Sequence, residues 1–384
     1  RDAEGDALKI TEVNTAEVRM KIDGQPRYLY HYVRIHTDEG IYGTGEASHV
    51  DGGWRGSTQT MAAQLIGKDP RDVDALFEGI RRSYIFRGGM SGLAISALTG
   101  LEVALWDLAG KAQGVPVYRL LGGKFRDRVR LYVDSAHEDY KERAEDARAK
   151  GFTAIKFDLD DAGHPEKLDP WNWSVAPAEL EDLVDQAHQI REAVGPHMDL
   201  AIDLHGRYDA TAGMKFAHAL EGLNLMWLEE PVPPENIDAL KRITDSTRTP
   251  ICAGENAYLR YGFRDMLEQQ AVDIIMPDIS KCGGLSECRK IANMAETYYI
   301  PFAPHNNSSA LSTVGDAHVC ASVPNFLALE FHRYDDPTWN DVVLSDEPVI
   351  QEGHVVLNEK PGLGVELNEA FLQSMQEDGE PLWQ

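Results

Sequence analysis

Three stretches, Ile202-Asp203-Leu204-His205-Gly206-Arg207, Trp227-Leu228-Glu229-Glu230-Pro231 and Cys252-Ala253-Gly254-Glu255-Asn256, decide the fold. Each carries a short apolar run that ends in a carboxylate, and Asp203, Glu229 and Glu255 follow one another at a constant interval of 26 residues. That interval is about one strand-helix-strand repeat, as in a (β/α)8 barrel of roughly 250 residues. Carboxylates at the C-terminal ends of successive barrel strands point into one mouth, where three together repel unless a cation lies between them. A hard divalent ion with oxygen ligands, Mg2+ above all, suits such a set. Taken singly, each acid reads as a solvated strand end or a helix cap. The constant interval and the repeated pattern make them a set.

Working outward, β-rich runs at 129–133, 153–157, 198–202, 225–228, 250–253, 272–276, 300–303 and 326–329 alternate with helical periods. Eight runs in that alternation favour a closed parallel barrel over a doubly wound open sheet. Ahead of them, residues 10–46 read as a three-stranded antiparallel meander with turn residues at Asp23-Gly24-Gln25-Pro26 and Asp38-Glu39-Gly40. The Gly43/Gly45 pair lacks the third glycine and the following helix that a phosphate loop needs. Ile95, Leu98, Leu101, Leu105 and Leu108 mark a packing helix over 94–112, stopped by Gly114 and Pro116. Its internal Gly100 suggests a close helix approach. The expected domains are an α+β cap over 1–127, the barrel over 128–345, and a tail over 346–384. That tail returns to the cap through 349–357 and Pro361-Gly362-Leu363-Gly364. The loop at 84–89 is a surface loop by default, placed where a cap can close over a barrel mouth. The polar connection at 158–173 is longer than a usual βα loop, and builds part of the mouth or a subunit contact.

The 384 residues are enough for a barrel and a second domain, and 43% are hydrophobic, ample for a large core. The net charge of −26 makes nucleic acid and anionic membrane poor partners. It does not exclude an anionic substrate, because a bound metal inverts the local field. Lysine is scarcer than arginine, which with the acid excess is compatible with a salt-adapted surface. Cys252, Cys282, Cys288 and Cys320 lack C-x-x-C spacing and read as small buried residues in a reducing compartment. No apolar run approaches the ~20 residues of a membrane span, and residues 1–7 are polar rather than a signal peptide. The chain therefore reads as cytoplasmic.

The other strand ends carry chemistry too. Lys156-Phe157-Asp158 closes strand two, with Lys156 and Asp158 on the same side by alternation. An outward salt-bridged pair is the plainer reading. His205, two residues beyond Asp203, enters the mouth if strand three continues. Strand six ends in Met276-Pro277-Asp278 and strand seven in Ala303-Pro304-His305, which sets an Asp against a His as a general base requires. Strand eight ends in Glu330, one more inward carboxyl. A metal on three carboxylates, His305 with Asp278 as base toward the proton alpha to a substrate carboxylate, Glu330 beside the developing oxyanion and His205 as a second acid together suggest β-elimination of water.

With these residues placed, the sequence resembles the enolase superfamily, mandelate racemase subgroup. The likeness runs from Asp38-Glu39-Gly40 through Ala104-Leu105-Trp106-Asp107 and Leu120-Leu121-Gly122-Gly123 to Pro361-Gly362-Leu363-Gly364. The resemblance implies a (β/α)7β TIM-like barrel under an α+β cap made from both chain ends. It implies Asp203, Glu229 and Glu255 as Mg2+ ligands, Asp278 and His305 as the dyad, Glu330 beside the substrate carboxylate, and a homo-oligomer between dimer and octamer. Asp203-Leu204-His205-Gly206-Arg207, Ala253-Gly254-Glu255, Pro277-Asp278-Ile279-Ser280 and Ala303-Pro304-His305 are most similar to the acid-sugar dehydratases, which assigns His205 to the departure of the 3-hydroxyl. Racemases of the subgroup often carry Lys-x-Lys on strand two, and here the second position is Asp158. That leaves Lys156, Asp158, Arg207 and Asn306 as expected substrate contacts. The expected activity is conversion of an aldonate to its 2-keto-3-deoxy acid, galactonate- or gluconate-like substrates being favoured. The alternatives are an acid-sugar racemase or epimerase, and a non-catalytic protein on the same scaffold.

Overall fold

The computed structural model describes residues 8–22, 25–48, 50, 52–135, 139–159, 164–167, 169, 171–376 and 380–384. Residues 1–7, read above as polar, and Asp23 and Gly24 of the first turn lie outside that set. The N-terminal meander forms as β1 (Ile10–Ile22), β2 (Gln25–Thr37) and β3 (Tyr42–Ala47), paired antiparallel in that order. On it lies the helix Gly92–Gln113, and the cap has a core of its own that includes Val33, Ile35, Trp54, Phe77, Leu98 and Leu105.

The glycines explain how sheet and helix meet. A Cβ on Gly43 would stand 2.2 Å from the Ala104 carbonyl oxygen, and one on Gly45 would stand 2.3 Å from that of Gly100. The pair thus brings strand backbone against helix backbone, and has nothing to do with phosphate. Gly100 faces Val33 and Ala47 of the sheet, so the close approach expected of another helix is made by the meander. This is also a helix long and apolar enough to cross a membrane, contrary to the expectation that no such run exists. Some 78% of its most apolar window is buried inside the protein, as in a core helix.

Barrel strands follow as β4 (Arg128–Ser135), β5 (Ala154–Asp158), β6 (Asp199–Asp203), β7 (Trp227–Glu229), β8 (Ile251–Ala253) and β9 (Ile274–Ile275), each parallel to the last. Phe302 then bridges Ile275 and Phe326, and β10 (Leu329–Phe331) pairs back on β4 and closes the ring. The expected seventh strand shrinks to bridges because Pro301 and Pro304 have no N–H to give. Helices follow each strand position but the last, which makes a (β/α)7β barrel. Tyr132, Ala154, Ala201, Trp227, Cys252, Ile274, Met276, Ala303 and Ala328 fill its floor. The two-residue period of a strand then puts Asp134, Lys156, Asp203, Glu229, His305 and Glu330 one step nearer the mouth.

Two ties seat the cap. Glu102 accepts from the backbone N–H groups of Leu285 and Ser286, both at 2.9 Å, at the start of the barrel helix Gly284–Glu296, where a helix N-terminus favours a carboxylate. Asp107 accepts from Thr44 and Leu363 backbone N–H groups, both at 2.8 Å, joining meander, helix and the Pro361–Gly364 turn. The tail differs in part from expectation. Ile350–Gln351 and His354–Val356 form a hairpin that pairs antiparallel with β4, adding to the barrel rather than the cap. Only beyond it does the chain reach the cap, where Gln384 exchanges backbone hydrogen bonds with Thr15. All four cysteines are buried and free.

Candidate active site

Asp203 and Glu229 close β6 and β7 side by side, and Glu255 follows β8 after Gly254, whose φ of +137° favours glycine. Oxygens of the three lie within 4.8 Å of one another. Asp203 and Glu229 are 1% and 0% exposed. Burial and the neighbouring Asp203 carboxylate drive Glu229 well above the usual carboxylate range. Burial would raise Asp203 as well, but Lys156 and His205 outweigh it and hold Asp203 low. A buried, all-oxygen set that crowds negative charge fits a hard divalent cation.

Lys156 is the cation already inside. Its Nζ lies 2.8 Å from Glu229 Oε1, 2.8 Å from Glu330 Oε1, 3.2 Å from Asp203 Oδ2 and 3.7 Å from Asp134 Oδ1, with the side chain 1% exposed. Expected as a substrate contact, it is instead the internal countercharge of the acid cluster, because alternation on β5 puts it one layer below Asp158. Asp158 sits higher, with Asp203 and His205 in one group of candidate ligands, and burial and Asp134 push its carboxyl up to about 7.

The base is built from two strand ends. Asp278 bridges to His305, whose Nδ1 lies 2.9 Å from Asp278 Oδ2. Ser48, just past β3, places its Oγ 3.3 Å from Asp278 Oδ1, so the cap reaches the dyad. His305 Nε2 looks toward Glu255 Oε2 at 3.6 Å and Glu330 Oε2 at 3.8 Å. Burial alone would lower His305, but Glu255, Glu330 and the bond to Asp278 outweigh it and carry the ring to about 9. A cation among those carboxylates would offset their pull and return the ring toward the neutral form that can accept a proton. Burial would also raise Glu330, yet Lys156, His305 and His332 hold it well below its ordinary value.

His205 reaches the site by a different route from the one its spacing suggested. β6 stops at Asp203, and His205 takes a left-handed φ of +46°. Its N–H donates to Asp203 Oδ1 at 2.7 Å, and its Nε2 comes to 3.5 Å from Asp203 Oδ2. Burial would lower the ring's pKa, but the Asp203 and Asp158 charges outweigh it, so His205 is raised. Strands three and seven are opposite in an eight-strand ring, which sets His205 across the mouth from His305.

Two more residues were expected as substrate contacts. Arg207 is an exposed residue of the turn after β6, its N–H bonded to the Leu204 carbonyl. Asn306 is 2% exposed, and its amide donates to Thr313 Oγ1 at 2.8 Å and the Glu330 carbonyl at 3.1 Å. It ties strand ends seven and eight rather than pointing to sugar. Two residues were missed. Asp134 is the last residue but one of β4, and His332, two residues beyond Glu330, holds Asp134 Oδ2 at 3.1 Å through Nδ1. The alternation applied to Lys156 and Asp158 would have found His332.

Comparison with known proteins gives the family. Residues 7–122 match the mandelate racemase / muconate lactonizing enzyme N-terminal domain and 139–371 the enolase C-terminal domain-like family. A D-xylonate dehydratase of Haloferax volcanii is 43% identical over 100% of this chain and 91% of its own length. A D-galactonate dehydratase of Variovorax paradoxus is 34% identical over 94% of this chain and 93% of its own. Among solved structures, a mandelate racemase/muconate lactonizing enzyme-like protein from Rubrobacter xylanophilus superposes with a TM-score of 0.93 at 47% identity, covering 99% of this chain and 100% of the other. The chain belongs to the mandelate racemase/muconate lactonizing enzyme family of the enolase superfamily, among relatives that are acid-sugar dehydratases.

Proposed function

We propose that this protein is a Mg2+-dependent aldonate dehydratase that removes the proton alpha to the carboxylate and expels the 3-hydroxyl as water. Asp203, Glu229 and Glu255 would hold the ion. Bound there, it supplies Lewis-acid polarisation of the substrate carboxylate. His305 takes the C2 proton at Nε2 while Asp278 fixes its Nδ1, as a general base needs. Glu330, kept ionised by Lys156, sets the charge beside the reacting carboxylate. His205, across the mouth, gives its proton to the departing 3-hydroxyl, and the enol that results becomes the 2-keto-3-deoxy acid.

The observation that carries this reading is the pair of histidines at strand ends three and seven, one held by Asp278 through Nδ1 and the other 3.5 Å from Asp203 in a group with Asp158. A two-base racemase of the Lys-x-Lys type has no such second lysine here, and Lys156 is enclosed by carboxylates. D-xylonate joins the galactonate- and gluconate-like acids as a candidate substrate, since relatives named for xylonate and galactonate align along nearly the whole chain. Cytoplasmic placement and assembly as a homo-oligomer belong to the same proposal, as does the absence of a nucleic-acid or membrane partner, and the charge of −26 supports the last of these. The test is a screen of pure protein with Mg2+ against C5 and C6 aldonates, with the 2-keto-3-deoxy product trapped as its semicarbazone. One active aldonate supports the proposal, and a panel without product contradicts it.

A further inference from the structure

Two histidines converge on one carboxylate beside the acid cluster. His305 brings Nε2 to 3.8 Å from Glu330 Oε2, and His332 brings Nε2 to 3.4 Å from Glu330 Oε1. The two imidazole centroids are 5.9 Å apart, and one ligand atom from each of the three residues lies within 4.8 Å of the other two.

This set differs in kind from Asp203, Glu229 and Glu255. Three carboxylates suit a hard ion such as Mg2+, whereas two imidazoles and a carboxylate suit a borderline one such as Zn2+. Ligands held at about 2.0–2.1 Å on a tetrahedral Zn2+ stand roughly 3.3 Å apart, so the spacings to Glu330 are already near those of an occupied site. The outer partners fit as well. A ligating histidine commonly gives its second ring nitrogen to a carboxylate, and here Asp278 lies 2.9 Å from His305 Nδ1 and Asp134 3.1 Å from His332 Nδ1. Glu330 is fully buried, but the His332 side chain is 24% exposed, which gives an ion a path in and leaves room for a water ligand. Charge on the surrounding groups is mixed. Lys156, 2.8 Å from Glu330 Oε1, opposes a cation, yet it is also shared among Asp134, Asp203 and Glu229. Glu255, 3.6 Å from His305 Nε2, favours one.

We propose that His305, Glu330 and His332 form a second metal site, selective for Zn2+ over Mg2+, alongside the three-carboxylate site. An ion there occupies Nε2 of His305, so Zn2+ binding and proton abstraction by that ring exclude each other. This inhibitory consequence rests on the aldonate reading above; the site itself does not.

The test is binding without turnover. Full-length protein in excess MgCl2 is titrated with ZnCl2 by calorimetry, and the complex with one equivalent of Zn2+ is examined by X-ray absorption at the zinc edge. Wild type should take up one Zn2+ that MgCl2 does not displace, with outer-shell scattering from two imidazoles. His332→Phe should bind Zn2+ at least roughly 10- to 100-fold more weakly, since losing even the outer partner of a ligating histidine costs that much, while Mg2+ affinity stays within about twofold. An unchanged Zn2+ affinity in His332→Phe overturns the proposal and puts the ion in the carboxylate site instead. Fewer than two imidazoles around zinc in the wild type overturns it too. Should His332→Phe not fold, His332→Gln takes its place, with the same loss expected and an unchanged affinity again overturning the site. Aldonate turnover enters neither measurement, so a failure of the aldonate reading leaves both results standing.

Discussion

Replacing Lys156 by methionine removes the cation from a pocket of four carboxylates while keeping its bulk. Three of those acids lie within 3.2 Å of Nζ and the fourth at 3.7 Å, in a site 1% exposed, so solvent screens little of the loss. Breaking a buried ion pair at one partner typically costs 3–5 kcal/mol, because the other charge stays buried and unpaired. For a chain of 384 residues, about 1 °C of melting temperature corresponds to 1 kcal/mol, so Lys156→Met should melt about 3–6 °C below wild type in EDTA at pH 7.5. Mg2+ should narrow the gap, since the freed carboxylates bind a divalent ion more tightly and linkage adds about 2.7 kcal/mol at a hundredfold excess over Kd. Differential scanning calorimetry with EDTA and with a Mg2+ series gives both numbers. Equal melting temperatures in EDTA, or a gap that does not respond to Mg2+, would refute the claim that Lys156 is the internal countercharge of the metal site.

Further predictions concern the base, the cap and one buried ring. His305→Asn should lower dehydration by ~10²–10⁴-fold, the usual worth of a general base, with Mg2+ affinity kept when measured by calorimetry. Gly43→Ala, whose Cβ would stand 2.2 Å from the Ala104 carbonyl oxygen, should cost about 1–3 kcal/mol or more of cap stability, read as lowered thermal stability and faster proteolysis. His318 is buried, with Nδ1 accepting from the Tyr118 N–H at 3.1 Å and Nε2 3.1 Å from the Leu363 carbonyl, and burial lowers its pKa to about 4. A histidine lowered on folding is neutral in both states above about pH 6.5, and below it the unfolded chain binds the proton more readily. Stability should therefore fall between about pH 6.5 and 4, by up to roughly 3 kcal/mol from this ring. In His318→Gln that part of the slope should vanish from urea unfolding curves taken across the window.

Much of the site was legible because strand ends repeat. The interval shared by Asp203, Glu229 and Glu255 depends only on the length of a β/α unit, and the resemblance rested on motifs at those same ends. What escaped depended on local backbone or on layers. The left-handed turn at His205 cannot be read from alternation, which assumes that the strand continues. Lys156 and Asp158 share a face, yet one layer of depth separates a buried countercharge from a mouth residue. Proline at 301 and 304 thinned the seventh strand to bridges, and the hairpin on β4 followed from an edge at the barrel floor that no motif marks. Asp134 and His332 lay within reach of the same counting, which stopped one step short on strand eight.

The most direct test of the central claim follows the two hydrogens by proton NMR in D2O, with wild-type protein, Mg2+ and the aldonate panel. The account predicts loss of the C2–H signal together with a 2-keto-3-deoxy product carrying one solvent deuterium at C3, both absent in His305→Asn. Recovery of aldonate deuterated at C2 without keto acid would contradict it, leaving His305 as a base and His205 without the elimination assigned to it.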